Sequence, residues 1–203
     1  MDEMKPSPDP SVSYSLKIKM NWVNPAFTIP AGAHFTVIAG MIHNDSTALW
    51  ISGSTASKGL EDIAEVGSIT NMQQELTAKV NARLALQAFY LPAPAITGEV
   101  DTSFVFTLQH NRISFASMIA PSPDWFMSIN NFSLMQDGQW VNQMIVPIYL
   151  YDAGTEEGDV FGYNNPETNP LQAVSLLTPA KASVLANGNT SLAPIGTISF
   201  TRN

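Results

Sequence analysis

The sequence contains no cysteine, and this absence excludes a disulfide framework, a thiolate metal site and a cysteine nucleophile. Basic residues are also few: 9 Lys and Arg stand against 17 Asp and Glu, which leaves a net charge of -8. Because an acidic chain repels phosphate backbones and anionic lipid, we expect no nucleic acid partner. The excess of carboxylates instead favours association with cations, and Ca²⁺ is the first to consider.

Long apolar runs are missing as well. No stretch reaches the ~18 residues of a membrane helix, so we expect no membrane span. The N-terminus is acidic and rich in proline, whereas a signal peptide is basic and then apolar, so an exported chain would already have lost its signal. Charged residues make up only 13% of the chain, about half the ~25% of globular proteins. Such low charge, with many small polar residues, is common in secreted β-proteins.

The prolines and the apolar pattern divide the chain into a tether and one domain. Residues 1–12 alternate proline with polar residues, a pattern that cannot pair as a central strand and is typical of an extended tether. Residues 13–203 have the length of a single large β domain. The hydrophobic fraction of 45% is enough to supply its core.

Most of this domain has the periodicity of β-strands. Apolar and polar residues alternate strictly from Tyr14 to Trp22, which predicts a half-buried strand. Asp137-Gly138 is a hairpin-type turn. These signals predict an all-β fold, an antiparallel β-sandwich. Further strands are predicted at residues 35–39, 102–108, 113–119, 131–135, 141–150 and 195–201.

Helical spacing occurs in one part of the chain, residues 59–90. Ile69, Met72, Leu76 and Val80 recur at helical intervals among good helix formers, and the spacing extends to Leu84. We therefore expect a helical insertion in the β domain.

Two turns each hold one carboxylate between aromatic residues. The first is residues 121–126 (PSPDWF), in which two prolines stiffen the chain before Asp124. The second is residues 151–155 (YDAGT), which contains Asp152. Together they have the composition of two halves of one cation site. The alternative is that each aspartate only forms hydrogen bonds within its own turn.

Six motifs in order give the chain a resemblance to the spondin N-terminal domain family, which includes F-spondin, mindin and bacterial spondin-domain proteins. The resemblance covers the chain from about Tyr14 to the C-terminus. The matching segments are residues 30–35 (PAGAHF), 43–50 (HNDSTALW), 59–67 (GLEDIAEVG), 121–126 (PSPDWF), 137–140 (DGQW) and 151–158 (YDAGTEEG).

The resemblance implies an extracellular antiparallel β-sandwich, similar in shape to C2 domains, with a calcium ion at one end. It implies that Asp124 and Asp152 are ligands of that ion. Animal members add a glutamate on the strand before the first turn, and counting back along the chain places that position at Val105, so this carboxylate is lacking. Because calcium takes six to eight oxygens, others must then contribute. The candidates are Gln109, Asn130, Asn131 and Glu156.

Histidine and tryptophan offer other readings. His34, His43 and His110 invite a copper or zinc site, but their spacing shows no ligand pair, and packed or hydrogen-bonded structural roles are the alternative. The four tryptophans can form a sugar-stacking platform or can pack in the core, and the core is the more common place for them. They are Trp22, Trp50, Trp125 and Trp140.

The sequence offers little for catalysis, because it has no Gly-x-Ser-x-Gly and no glycine-rich phosphate loop before a helix. The resemblance implies instead a calcium-binding, non-enzymatic adhesion or interaction module whose partner is an extracellular protein or a glycan. It also implies a secreted or cell-surface location, extracellular or periplasmic. One alternative is a self-assembling subunit of a surface layer or fibre, a homo-oligomer in which the N-terminal tether and the edge strands make the subunit contacts. A carbohydrate-active enzyme is the third reading.

Overall fold

A computed structural model describes residues 7–203, and residues 1–6 lie outside the described part. The described residues form twelve β-strands and two α-helices. The strands are β1 (Ser11–Met20), β2 (His34–Phe35), β3 (Ile38–His43), β4 (Ala85–Leu91), β5 (Glu99–Thr107), β6 (Arg112–Ala120), β7 (Trp125–Ser133), β8 (Met135–Gln136), β9 (Gln139–Trp140), β10 (Gln143–Asp152), β11 (Ser175–Leu176) and β12 (Gly196–Arg202). The helices, between β3 and β4, are α1 (Lys58–Val66) and α2 (Thr70–Asn81).

Ten of these strands form one antiparallel sheet in the order β4-β3-β6-β7-β10-β12-β1-β5, with β2 beside β6 and β11 beside β10. Strand β10 changes partners midway: residues 143–148 pair with β12, and residues 149–152 pair with β7. The strands on either side of this change contribute to one shared core. The sheet thus folds over at β10 and is nearly closed, which confirms the predicted all-β fold.

The shared core is built from alternating side chains. In β1, Tyr14, Leu16 and Ile18 are buried, and they join Phe115 of β6 and Phe200 of β12 in one cluster. Burying a large apolar side chain stabilises a fold by about 1.5–3 kcal/mol, so this face accounts for much of the folding free energy. The alternation predicted at the start of the chain is confirmed.

The two helices cover the outer face of the β3-β6-β7 part of the sheet. Leu60 and Ile63 of α1, together with Met72 and Leu76 of α2, pack with Phe126 in a second apolar cluster. No helix among residues 7–203 is long and apolar enough to cross a membrane. The predicted helical insertion is therefore confirmed as a small layer on an all-β domain.

The insertion is shorter than the predicted 59–90. Helix α2 ends at Asn81, and β4 begins at Ala85 and pairs with β3. Leu84 fits the helical spacing, but it lies in the connection between the two elements. The boundary was wrong because a ladder to a distant strand overrides local periodicity.

One predicted turn and one predicted strand have different outcomes. The Asp137-Gly138 turn is confirmed: it joins β8 to β9, and its φ angles of 50° and 75° suit a type I′ hairpin. The strand predicted at 131–135 instead begins at Trp125. Strand β7 thus starts directly after Asp124.

The two ends of the described chain lie side by side. Strand β1 pairs with β12 in antiparallel fashion. The Asn203 N–H donates to the Ser13 carbonyl at 3.0 Å, and Asp9 forms an ion pair with Arg202. Half of the predicted tether, 1–12, lies outside the described residues, and its last two residues begin β1.

Candidate metal site

The structure brings Asp124 and Asp152 together where β7 begins and β10 ends. Trp125, the first residue of β7, is paired with Asp152, the last residue of β10. The Ala153 N–H donates to the Asp124 carbonyl at 3.1 Å and joins the two turns. The Ser122 hydroxyl accepts the Trp125 N–H at 3.2 Å, which closes the first turn and directs Asp124 inward.

Asp124 is almost fully buried, with 1% of its surface exposed. Its Oδ2 accepts the N–H groups of Thr155 at 2.7 Å and Glu156 at 3.1 Å, and the Thr155 hydroxyl is 3.4 Å away. Its Oδ1 has no hydrogen-bond partner among the described residues. A buried carboxylate oxygen without a partner is costly, and such an atom suits a bound cation.

Asp152 is also buried, but both of its oxygens have partners. Its Oδ1 accepts the Gly154 N–H at 2.9 Å, which is a hydrogen bond within its own turn. Its Oδ2 lies 3.3 Å from the Nζ of Lys181. The alternative raised for the sequence, in which these aspartates bond to their own turns, thus describes one oxygen of Asp152.

The electrostatics of the site oppose a negative charge on Asp124. Burial, and after it the nearby charge of Asp152, raise the pKa of Asp124 to about 6, although the N–H donors of Thr155 and Glu156 oppose the increase. Burial also raises the pKa of Glu156, and the charge of Asp124 adds to that effect. A cation placed here would lower both pKa values, because it stabilises the charged form of each carboxylate.

The acidic loop that follows Asp152, residues 154–171, folds into two arms that bond to each other. The Gln172 N–H donates to the Gly154 carbonyl at 2.8 Å, and the Thr168 N–H donates to the Thr155 carbonyl at 2.9 Å. Gly154 has a φ of +73°, and a Cβ there would lie 2.5 Å from the Gln172 oxygen. The loop is therefore held over Asp124 by its own backbone, and Gly154 allows the close approach.

A polar cleft of about 340 Å³ opens beside the pair, and Asp152, Glu156, Glu157, Asp159 and Lys181 are among its lining residues. The Asn165 amide holds the Glu156 carboxylate at 3.3 Å. Four carboxylates and one ammonium group thus give the cleft a negative balance.

The donor set fits calcium in chemistry but is small. Asp124 Oδ1 and Asp152 Oδ2 are carboxylate oxygens, and Glu156 lies nearby. Calcium needs six to eight oxygens, so backbone carbonyls and water would have to complete the shell. Within residues 7–203 no group of three or more His, Cys, Asp or Glu is arranged to hold a metal ion.

The other candidate oxygens lie elsewhere. Asn130 is near the far end of β7, about 20 Å from Asp124 at the usual rise per residue, and its side chain bonds to Leu49 and Trp50. Asn131 follows it, is exposed, and has a φ of +54°. Gln109 lines a different cleft. Of the four candidates, only Glu156 is near the pair.

Val105 does not occupy the place assigned to it by counting along the chain. The strand before the first turn is β6, whereas Val105 lies on β5, pairs with Ser13 and is 49% exposed. Strand β5 is at one end of the sheet order, three strands from β10. Counting back from the turn passes through β6 into β5, so Val105 is not on the strand directly before the turn.

The three histidines are separate, and each ring forms hydrogen bonds. His43 is fully buried: its Nε2 is 2.8 Å from the Ser114 hydroxyl and its Nδ1 is 2.6 Å from the Asn44 carbonyl. His34 Nδ1 contacts the carbonyl of its own turn at 2.7 Å. His110 contacts Thr107 and Arg83. These contacts are structural ones.

Three tryptophans are in the core, as the commoner of the two readings predicts. Trp22, Trp125 and Trp140 are buried. Trp50 is half-buried on the outer face, where its indole donates to the Ser128 hydroxyl at 2.9 Å and its ring packs on Tyr151.

Lys181 is the residue of this site that the sequence did not indicate. It follows Asp152 by 29 positions in a segment of turns, outside every motif, and no local pattern connects the two. Only the fold shows the contact between them.

Comparisons with known proteins agree with these motifs. A family model described as Spondin_N matches residues 12–188. Spondin-2 of Rattus norvegicus is 30% identical over 205 residues, which cover 95% of this chain and 62% of the relative. Spondin-2 of Homo sapiens is 30% identical over 181 residues, covering 86% and 55%. Spondin-1 of Gallus gallus is 29% identical over 151 residues, covering 71% and 19%.

The chain therefore spans less than two thirds of the length of these relatives. The family model, by contrast, matches well over half of the chain. The motifs from residue 30 to residue 158 all lie within that match. The chain belongs to the Spondin_N family.

Proposed function

We propose that this protein is a secreted or cell-surface, non-enzymatic adhesion or interaction module whose Asp124 and Asp152 bind a calcium ion. The observation that carries the calcium site is the buried Asp124 Oδ1, which has no partner among the described residues and lies on a carboxyl next to a second one. Family membership supports the module.

The role of the ion would be structural. Asp124 joins the start of β7 to the arms of the acidic loop, and Asp152 ends β10. A divalent cation held by both carboxylates would offset their mutual repulsion and would fix the loop on the sheet. Loop carbonyls, the Glu156 carboxylate and water are the groups available to complete its shell.

Calorimetry with Ca²⁺ on chelator-treated protein tests the site. We expect saturable heat, and a gain in the free energy of unfolding of roughly 2.7 kcal/mol at a hundredfold excess over Kd. Asp124→Asn should remove most of this gain and leave the metal-free protein folded. The control is Asp137→Asn, an exposed position where Asn-Gly suits the same hairpin turn. No heat at millimolar Ca²⁺ would exclude the site.

The interaction role requires a partner, for which we propose an extracellular protein or a glycan. Arrays of both kinds, probed with and without Ca²⁺, should show binding without chemical change of the ligand. The calcium-dependent part of the binding should be absent in Asp124→Asn. Turnover of any glycan would contradict the non-enzymatic assignment.

A self-assembling subunit is the second candidate, and one observation favours it. Strand β5, nine residues long, is at the end of the sheet order, so one of its edges is not in a backbone ladder with described residues. Such an edge can pair with another chain. Light scattering with and without Ca²⁺ distinguishes the two, since a monodisperse monomer under both conditions contradicts assembly.

A further inference from the structure

Lys181 contacts one carboxylate oxygen of Asp152, which is a proposed ligand of the cation. Its ammonium lies 3.3 Å from Asp152 Oδ2 and donates to the Ser175 hydroxyl at 3.1 Å. Ser175 is held in place because β11 pairs with β10 at the position of Asp152. The two contacts place one positive charge beside Asp152.

The four oxygens of the pair are not equally available. Asp124 Oδ2 and Asp152 Oδ1 accept backbone N–H groups, which are fixed by the loop. Asp124 Oδ1 has no partner among the described residues. Asp152 Oδ2 faces the Lys181 side chain, which is 38% exposed and has a flexible stem. Among the groups that contact the two aspartates, Lys181 is thus the one that can move away.

The ammonium group and a metal ion exclude each other at Asp152 Oδ2. An ammonium has donors only and cannot be a metal ligand, and two positive charges at this distance in a partly buried site repel strongly. The cleft offers the lysine another position, because Glu157 and Asp159 line the same space.

We propose that Lys181 is a built-in counter-ion of Asp152 that competes with the bound cation and sets the affinity of the site. In the metal-free protein, the ammonium neutralises part of the pair. When Ca²⁺ binds, Lys181 moves from Asp152 into the acidic cleft. This inference rests on the calcium site proposed above.

The test is a calorimetric Ca²⁺ titration of the wild type, Lys181→Gln, Lys181→Arg and Lys19→Gln. Removing the competing charge should tighten Kd by about tenfold in Lys181→Gln. Lys181→Arg keeps the charge and should bind close to the wild-type value. Lys19→Gln on β1 is the matched control, because it also removes one positive charge and one contact with a carboxylate, that of Glu99 on β5 at 3.5 Å. Its Kd should not change.

The outcomes separate the two proposals. A wild type that binds Ca²⁺ and a Lys181→Gln variant of equal or weaker affinity would overturn the counter-ion role and leave the calcium site intact. A wild type and a Lys181→Gln variant that both bind no Ca²⁺ would overturn both. Thermal melting of each metal-free variant checks folding, and Lys181→Met, which retains the stem, replaces any glutamine variant that fails to fold.

Discussion

Two buried polar clusters lie at opposite ends of the β6–β7 hairpin. The first contains His43, Ser114 and Asn130, and it joins β3, β6 and β7. Each member has a partner, since His43 uses both ring nitrogens and the Asn130 amide donates to the Trp50 carbonyl. The second cluster is centred on Asp124, whose Oδ1 lacks a partner among the described residues.

The difference between the clusters separates a structural role from a binding role. A complete network of neutral groups stabilises the fold and needs nothing more. A buried carboxylate with a free oxygen, beside a second carboxylate, lowers the stability of the fold, and a bound cation would offset that loss. The His43 cluster should therefore affect stability alone, whereas the Asp124 cluster should affect stability and calcium binding together.

Breaking the complete cluster should give the largest loss. His43→Ala removes a buried ring, and with it one hydrogen bond of the Ser114 hydroxyl and one of the Asn44 carbonyl. We expect the free energy of unfolding to fall by about 3 kcal/mol in urea denaturation. The affinity for Ca²⁺ should not change. His34→Ala, at an exposed histidine, is the control, and equal losses in the two variants would contradict the assignment.

Disturbing the loop over Asp124 should have a smaller effect on stability but should also weaken the binding of the cation. Gly154→Ala places a methyl group against the Gln172 oxygen at a positive φ, and we expect a loss of about 2 kcal/mol with weaker Ca²⁺ binding. Gly188→Ala has a similar φ of +77° with no atom near the added carbon, so it should lose only about 1 kcal/mol. Similar losses in both would show that the loop contact does not matter.

The response to acid should have opposite signs in the two clusters, and it is the smallest effect. The folded pKa of Asp124, about 6, is above its ordinary value of 3.8. The protonated carboxyl of Asp124 therefore contributes its full stability below pH 3.8, and this contribution is lost as the pH rises through about 6. In chelator, lowering the pH from 7 to 5 should stabilise the wild type by about 1.4 kcal/mol relative to Asp124→Asn. A constant difference between them would contradict this.

His43 responds in the other direction. Burial lowers its pKa below 6.5, and the charges of Arg112 and Lys79 lower it further. Its contribution to stability is therefore present above pH 6.5 and is lost as the pH falls through its folded pKa. His43→Gln should remove this part of the acid sensitivity, which the same pH series of denaturation curves measures.

The sequence predicts well those features that depend on neighbouring residues. The alternation from Tyr14 and the Asp137-Gly138 turn are local, and both are found in the structure. The two aspartates could be named because each lies in a recognisable turn. The resemblance implied that they lie side by side. In the structure this follows from the pairing of β7 with β10, which no local pattern contains.

Features that depend on distant pairing could not be predicted in this way. Residues 85–91 continue an apolar pattern that suits a helix, and the ladder to β3 makes them a strand. The contact of Lys181 with Asp152 and that of His43 with Ser114 join residues 29 and 71 positions apart. The strand on which Val105 lies could not be predicted for the same reason, because a distance along the chain does not show which strand a residue joins.

The pairing of β1 with β12 has a mechanical consequence. The N–H of Asn203 bonds to the carbonyl of Ser13, so a pull applied between the two ends would act first on the terminal pair of this ladder. The bonds would then open one after another, like a zipper, and would not share the load in shear. If the domain were linked to other polypeptide at both of its ends, the two linkers would leave it close together, and the folded domain would add little to the end-to-end length.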